Sequence, residues 1–236
     1  MIEVLLANIL VDNITLIESL QKLQEFVESK KPKLIVTPNP EMIVAAQDDP
    51  ELMQILNHAD LKLPDGISMV IVSKIKGKPL KSRVTGIDFF MEACKLAAIK
   101  GWKIYLLGSA PGVVEKAAVN LKYQFPNLQI AGTHNGYFKD DDEIVTRIKA
   151  TRPDIIFAGL GAGKQEKWLA KNLKGLGTGV GVGIGGSFDV VAGIKKRAPK
   201  WIQALYIEWL YRLLTEPQRW KRQLALPKFL WLTLVK

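Results

Sequence analysis

The residues best suited to bind a ligand lie between positions 155 and 168, where an apolar run leads into alternating glycines and then a helical pattern. Gly159, Gly161 and Gly163 allow backbone N–H groups to approach an anion closely, and the start of a helix adds partial positive charge. Gln165 and Glu166 follow at the mouth of this turn, where they are suited to pair with a base or a sugar hydroxyl. An ordinary strand-to-helix turn explains the glycines alone, whereas the adjacent polar pair favours a nucleotide site.

Short polar side chains also follow two other apolar runs. Thr37 and Asn39 lie at the end of residues 33–37, and Asp65 follows residues 61–63. In α/β proteins, ligands bind outside the carboxyl ends of the strands, so these positions are candidates for the same site. An Asp-Gly pair is also a common turn, and that interpretation stays open for Asp65 by itself.

Further glycines mark the ends of other predicted strands. Gly108 opens a loop that is suited to hold a diphosphate, although a plain tight connection explains it equally well. Gly136 follows the strand at about 128–131, and Gly185 lies at the end of a glycine-rich strand. No clear ribose-binding acid follows the loop at Gly108 or the loop at Gly185. This argues against a nucleotide-dependent oxidoreductase.

The order of apolar and amphipathic segments predicts an α/β protein. Strands at about 1–6, 33–37, 61–63, 102–107, 128–131, 155–159 and 180–186 alternate with helices over short loops. This alternation is typical of a Rossmann-like, mostly parallel sheet with helices on both faces. The polar and glycine-rich strand ends would then share one edge. We place the catalytic core at residues 1–194 and a C-terminal helical, membrane-associating appendage at 195–236.

The sequence does not indicate a metal site. Asp140 and Asp142 form a D-x-D pair, but an acidic run is also what the start of a helix favours electrostatically. His58 and His134 lack metal-ligand spacing. The single cysteine, Cys94, falls in a helical pattern and is expected in the core, which fits a reducing compartment. We see no signal peptide and no run of about 18 apolar residues.

The basic character of the chain is concentrated in the appendage. Residues 195–236 hold ten of the 33 Lys and Arg and two of the 23 Asp and Glu, which is +8 of the net +10. They also hold four of the six tryptophans. One interpretation is that the apolar face of this segment docks on the core or on a second subunit. Nucleic-acid binding is another, but no DNA- or RNA-binding motif is present. Helices on an anionic membrane surface fit the combination of Trp, Lys and Arg best.

These residues together resemble the WecG/TagA/CpsF family of bacterial glycosyltransferases. In chain order the matching segments are Thr37-Pro38-Asn39-Pro40-Glu41, Pro64-Asp65-Gly66, Arg83-Val84-Thr85-Gly86-Ile87-Asp88, Gly108-Ser109, Gly136-Tyr137-Phe138, Gly159-Leu160-Gly161, Lys164-Gln165-Glu166, Trp168, Gly185-Gly186-Ser187-Phe188-Asp189, Ala192-Gly193, Arg197-Ala198-Pro199, Glu208-Trp209, Tyr211-Arg212-Leu213, Glu216-Pro217 and Arg219. They cover nearly the whole chain. One departure is Gly163, where the family usually has Pro.

The resemblance implies an inverting, metal-independent transfer without a cofactor. N-acetylmannosamine would move from UDP to the 4-hydroxyl of N-acetylglucosamine on a polyprenyl diphosphate, in wall teichoic acid synthesis. The residue matching Asp65 is the proposed general base, with Thr37 and Asn39 beside it. The resemblance associates the nucleotide sugar with the Gln165-Glu166 region, and we add Arg83 and four glycines to that group: Gly108, Gly136, Gly161 and Gly185.

The appendage completes the site in this interpretation. A departing UDP gains negative charge, and Arg212, Arg219 or Arg222 would balance it by folding over the core. The protein would then act on the inner face of the cytoplasmic membrane, with an apolar helix face available for self-association. A related transferase that uses another UDP sugar, such as UDP-N-acetylmannosaminuronic acid, and a non-catalytic membrane-associated nucleotide-binding module remain as alternatives.

Overall fold

The structure, a computed structural model, describes residues 2–177, 179–216, 220 and 224–235, and for Arg212 it describes the backbone alone. The strands are β1 (Glu3–Leu6), β2 (Ile9–Asp12), β3 (Lys33–Val36), β4 (Leu61–Lys62), β5 (Lys103–Gly108), β6 (Gln129–His134), β7 (Ile155–Gly159) and β8 (Val180–Gly183). The helices are α1 (Leu16–Ser29), α2 (Pro40–Ala46), α3 (Pro50–His58), α4 (Ile67–Ile75), α5 (Gly86–Lys100), α6 (Val113–Gln124), α7 (Asp141–Thr151), α8 (Lys164–Leu176), α9 (Ser187–Val191), α10 (Lys200–Ala204), α11 (Glu208–Thr215) and α12 (Ala225–Leu234).

The predicted α/β architecture is confirmed. Six parallel strands form the main sheet in the order β4-β3-β8-β7-β5-β6. All four residues of β8 and the first four of β7 are buried, as expected for central parallel strands with helices on both faces. Because the strands run in the same direction, their carboxyl ends meet at one edge, where the candidate residues lie.

The amino-terminal strand does not belong to this sheet. β1 pairs antiparallel with β2 in a separate hairpin, and the sequence had not indicated β2. Ala7 and Asn8 form the turn with φ of 45° and 65°, as a two-residue hairpin turn requires. The usual Asn-Gly signal of such a turn is absent, which is why the pattern was missed. Met1, the first residue of the predicted strand, lies outside the described residues.

Side-chain caps fix where the helices at the carboxyl edge begin. Asn39 Oδ1 accepts a hydrogen bond from Met42 N at 2.9 Å and so starts α2. Thr85 Oγ1 accepts one from Asp88 N at 3.2 Å and so starts α5. Such a cap typically contributes about 1 kcal/mol, and here the two caps also fix the backbone on either side of the predicted pocket.

The start of the appendage is bent, although residues with helical hydrophobic spacing run from Ile202 to Leu213. α10 ends at Ala204 and α11 begins at Glu208. Between them Tyr206 has φ of 59°, a left-handed conformation that is uncommon for a bulky side chain. We call residues 205–208 the α10–α11 corner. Hydrophobic spacing continues across the corner, so the pattern alone did not reveal it.

The last helix is part of the core and not of a separate appendage. α12 packs against α2 and α4, where Phe229 is fully buried and Leu232 nearly so. Lys76 Nζ donates a hydrogen bond to the Thr233 carbonyl at 3.0 Å, which ties α4 to the end of α12. The boundary predicted at residue 195 therefore does not separate all that follows it from the core. In the part of the chain described, no helix has the length and apolar content needed to cross a membrane.

Candidate active site

Asp65 and Thr37 converge on the first turn of α5. Asp65 Oδ2 accepts a hydrogen bond from Gly86 N at 3.1 Å, and Thr37 Oγ1 donates one to the Gly183 carbonyl at 3.1 Å. A Cβ placed on Gly86 would lie 3.6 Å from both Asp65 Oδ2 and Thr37 Oγ1. The structure therefore brings together the carboxylate and the hydroxyl that the sequence placed on different strands. Asn39 lies on the same edge, where its side-chain oxygen caps α2.

Backbone glycines line the neighbouring strand ends. A Cβ on Gly108 would lie 2.4 Å from the Gly159 carbonyl oxygen, and one on Gly159 would lie 2.8 Å from the Gly185 carbonyl oxygen. A Cβ on Gly136 would lie 3.4 Å from Gly108 Cα. Four predicted loops therefore approach one another through their backbones, with the Leu160 and Phe188 side chains packed beside them. Gly161 is exposed in the adjacent loop, with φ of 96°.

Gln165 and Glu166 do not lie exposed at the mouth, as the sequence had suggested. Their exposed fractions are 1% and 0%, because both side chains turn inward at the start of α8. Gln165 Nε2 donates to Glu166 Oε1 at 2.7 Å, and Gln165 Oε1 accepts from Gly185 N at 3.0 Å. Glu166 Oε2 accepts from Gly163 N at 2.8 Å. The pair fixes the β7–α8 loop to the β8–α9 loop. Burial of the Glu166 carboxyl group raises its pKa above the usual value.

These contacts connect the Asp65 pocket with the glycine loops. Gly183 accepts the hydrogen bond of Thr37, and a Cβ on Gly183 would lie 2.7 Å from Gln165 Nε2. Asp65 and Gln165 therefore lie at the same edge of the sheet, after β4 and β7, with β3 and β8 between these two strands. The predicted common edge is confirmed, although the association of Gln165 and Glu166 with a nucleotide stays a prediction.

Replacing Gln165 by leucine is expected to lower the free energy of unfolding by about 1–3 kcal/mol, because Gly185 N and the buried Glu166 carboxylate each lose a hydrogen bond. Chemical denaturation measures the change. Lys164→Ala is the control, since Lys164 is exposed on the first turn of the same helix, and a change within about 0.5 kcal/mol is expected there. A Gln165→Leu protein with unchanged stability but weaker UDP binding would instead assign Gln165 to the ligand.

Two further groups at this edge were not given a role from the sequence, although they fall within the segments that resemble the family. Ser109, at φ of 60°, donates its hydroxyl to Asp189 Oδ1, whose second oxygen lies 3.0 Å from Lys195 Nζ. Asp88 pairs with Arg197 through two contacts, at 2.7 and 2.9 Å. Their residue types alone carried no signal, because ion pairs and Ser–Asp hydrogen bonds occur throughout protein surfaces.

Arg197 and Arg83 are held near Asp65 by carboxylates. Burial by itself raises the pKa of Asp88, but hydrogen bonds from Arg197 and Thr85 outweigh it and hold that pKa below its usual value. Burial likewise lowers the pKa of Arg197, and the carboxylates of Asp88, Glu208 and Asp65 raise it above the ordinary value. Arg83, predicted to bind the donor, lies 3.6 Å from Glu208 Oε2. Two cations thus flank the Asp65 pocket.

The D-x-D pair, which was not expected to hold a metal, and the tail arginines are placed as follows. Asp140 Oδ1 accepts a hydrogen bond from Asp142 N at 2.8 Å and caps α7, as the electrostatic interpretation predicted. Arg212 lies on α11, but its side chain is outside the described part of the structure. Arg219 and Arg222 also lie outside the described residues.

Comparisons with known proteins identify the family of this chain. A family model described as "Glycosyl transferase WecG/TagA/CpsF family" matches residues 4–236. Three bacterial relatives carry the name N-acetylglucosaminyldiphosphoundecaprenol N-acetyl-beta-D-mannosaminyltransferase. The protein of Bacillus spizizenii W23 is 41% identical over 204 residues, which is 86% of this chain and 79% of the relative.

The other two relatives are more distant. The protein of Bacillus subtilis 168 is 36% identical over 206 residues, 87% of this chain and 80% of the relative. The protein of Staphylococcus aureus NCTC 8325 is 36% identical over 223 residues, 93% of this chain and 87% of the relative. The match spans the sheet, the Asp65 pocket and the tail. The chain therefore belongs to the WecG/TagA/CpsF family of glycosyltransferases.

Proposed function

We propose that this protein transfers N-acetylmannosamine from UDP to the 4-hydroxyl of N-acetylglucosamine on undecaprenyl diphosphate, in wall teichoic acid synthesis. The observation that carries the proposal is the convergence of Asp65 and Thr37 at Gly86, beside glycine-lined strand ends. The three named relatives support it, since their names describe an N-acetylmannosaminyltransferase that acts on N-acetylglucosaminyldiphosphoundecaprenol.

Asp65 is the group suited to activate the acceptor. A sugar hydroxyl is a weak nucleophile, and a positioned carboxylate that accepts its proton typically accelerates such a step by about 10²–10⁴-fold. As the hydroxyl oxygen forms a bond to the anomeric carbon, the bond to UDP breaks and the configuration inverts. The Gly86 N–H holds one Asp65 oxygen in place, so the carboxylate does not have to be ordered during the reaction.

The glycine-lined strand ends are suited to the nucleotide. Gly108, Gly136, Gly159 and Gly185 bring the loops after the strands close together, and an anion is favoured where backbone N–H groups and helix starts converge. In this proposal the buried Gln165-Glu166 pair acts by holding two of these loops together. Its role is then to position the backbone that contacts the donor.

Because the acceptor is a lipid, the protein must contact a membrane to reach it. We propose that the tail, residues 195–236, makes this contact on the inner face of the cytoplasmic membrane. Trp201, Trp209, Trp220 and Trp231 are 43–63% exposed, and amphipathic aromatic rings favour the membrane interface. The tail carries most of the net positive charge, which attracts anionic lipid. Deleting everything after Pro199 is a poor test of this role, because Phe229 and Leu232 would leave the core.

A transfer assay tests the proposal. The protein is mixed with a short-chain lipid-diphosphate N-acetylglucosamine acceptor and, in separate reactions, UDP-N-acetylmannosamine, UDP-N-acetylmannosaminuronic acid or UDP-N-acetylglucosamine. Mass spectrometry is expected to find a disaccharide product with the first donor. A product with the uronic acid alone would identify the related transferase, and UDP binding without any product would identify a nucleotide-binding module.

Chelation of divalent ions is expected to leave the transfer rate unchanged. The family resemblance implies a metal-independent reaction, in which cationic side chains balance the departing diphosphate. Initial rates with and without excess EDTA, after dialysis, provide the measurement. A loss of more than about tenfold that added Mg²⁺ or Mn²⁺ restores would contradict the metal-independent mechanism.

A further inference from the structure

The ion pair between Arg83 and Glu208 is longer than a hydrogen bond. The Arg83 side chain is 13% exposed, and its guanidinium lies 3.6 Å from Glu208 Oε2 and 5.6 Å from the centre of the Tyr206 ring. A hydrogen bond from a guanidinium to a carboxylate is typically about 2.7–2.9 Å long. Arg83 therefore attracts Glu208 electrostatically while donors of its guanidinium remain available.

Arg197 has a side-chain N–H donor, at Nε, that faces Glu208 without forming a hydrogen bond. Its two terminal nitrogens pair with Asp88 at 2.7 and 2.9 Å, whereas its Nε lies 3.8 Å from Glu208 Oε1. Among the residues that the structure describes, this buried Nε has no hydrogen-bond acceptor. An unsatisfied buried donor is costly and uncommon in folded proteins, so it indicates a position where an acceptor belongs.

We propose that Arg83 and Arg197 form a binding site for a diphosphate group, and that Glu208 is the anion that fills this site until a diphosphate displaces it. The inference rests on the proposed function, in which the UDP donor and the lipid acceptor each carry a diphosphate. Glu208 itself is only 6% exposed and lies between the two guanidinium groups. A diphosphate offers several charged oxygens at the spacing of forked guanidinium donors, which a single carboxylate at these distances does not satisfy.

The backbone near this site connects it to the reacting groups. Val84 N donates to the Pro64 carbonyl at 2.9 Å, so the segment that carries Arg83 runs directly beside Asp65. A diphosphate held by the two arginines would therefore lie next to the proposed base. Arg83 and Arg197 thus supply positive charge close to Asp65, before any contribution from Arg212, Arg219 or Arg222.

The α10–α11 corner is suited to let Glu208 withdraw. Tyr206 adopts φ of 59° only two residues before Glu208, a left-handed conformation that is uncommon for a bulky side chain. The same tyrosine ring lies over Arg83. Glu208 is the first residue of α11, directly after this corner.

Calorimetric titration with inorganic pyrophosphate tests the inference on the full-length protein. Glu208→Gln is expected to lower the dissociation constant about 3- to 10-fold, because it removes a negative charge that competes for the same cations while it keeps the side chain's shape. Arg83→Gln is expected to raise the constant about tenfold. Glu92→Gln is the matched control: it removes one carboxylate from the exposed face of α5, and unchanged binding is expected.

The same titrations with UDP and with a short-chain prenyl-diphosphate N-acetylglucosamine identify the source of the diphosphate. A larger gain for Glu208→Gln with UDP assigns the site to the donor, and a larger gain with the lipid analogue assigns it to the acceptor. Unchanged or weaker pyrophosphate binding by a Glu208→Gln protein whose melting temperature matches the wild type overturns the inference. Pyrophosphate binding needs no turnover, so tighter binding in a protein that fails the transfer assay would reject the proposed function and leave this site standing.

Discussion

Replacing Asp65 by asparagine is expected to lower the turnover number of the transfer by about 10²–10⁴-fold, because the amide cannot accept the proton of the acceptor hydroxyl. The substitution preserves the shape of the side chain, and its oxygen can still accept the hydrogen bond from Gly86 N. Binding of UDP should therefore change little. This pattern separates a group that acts in the transition state from one that only binds substrate.

Initial rates over a range of donor concentrations, together with calorimetry of UDP binding, measure both quantities. Asp60→Asn is the matched control, since Asp60 precedes β4 at the opposite end of the sheet, where it pairs with Lys33 Nζ at 2.7 Å. Its turnover number should equal that of the wild type. An Asp65→Asn protein with full turnover would remove Asp65 from the reaction and favour a different base.

Replacing Gly108 by alanine is expected to destabilise the protein by about 4–6 kcal/mol, the larger part of the stability of many domains. The new Cβ would lie 2.4 Å from the Gly159 carbonyl oxygen, and neither strand end can move without disturbing the paired sheet. Gly108 also has φ of 137°, a conformation that side chains rarely adopt. Overpacking and backbone strain each cost about 1–3 kcal/mol, and a clash with backbone exceeds the usual range.

Thermal unfolding should show a melting temperature that is lower by about 8–24 °C for a chain of this size. Gly175→Ala provides the comparison: Gly175 lies in α8, where a Cβ would meet nothing within 4 Å, and a gain of about 0.4–1 kcal/mol is expected. A Gly108→Ala protein as stable as the wild type would mean that β5 and β7 do not approach each other this closely.

Much of the fold was determined by local sequence signals. The alternation of apolar strands with amphipathic helices predicted the parallel sheet, since each segment shows its own period. Caps are equally local: Thr15 closes a capping box with Glu18, only three residues further along the chain, at the start of α1. Because strand ends in a parallel sheet share an edge, the sequence also predicted that Thr37, Asp65 and the glycine loops meet.

Only the tertiary structure decided which polar groups face a ligand and which hold the protein together. Gln165 and Glu166 have the composition of a binding pair, yet they are buried, because β8 and the loop after it supply their partners from another part of the chain. Similarly, residues 225–235 are rich in apolar side chains, but the sequence does not show what they pack against. In the structure the surface of α2 and α4 receives Phe229 into the core.

The cluster of Arg83, Asp88, Arg197 and Glu208 shows the same division. Each residue type is common at protein surfaces, and the four lie in three segments, the first of which precedes the other two by more than 100 positions. The strength of the interaction between their charges depends on separation and burial and not on sequence spacing, so only the distances in the structure show that these residues interact. The sequence by itself thus determined the elements, the edge and the candidate base. The fold decided which charges lie near Asp65, because only packing brings the start of α5, the segment after α9 and the start of α11 together.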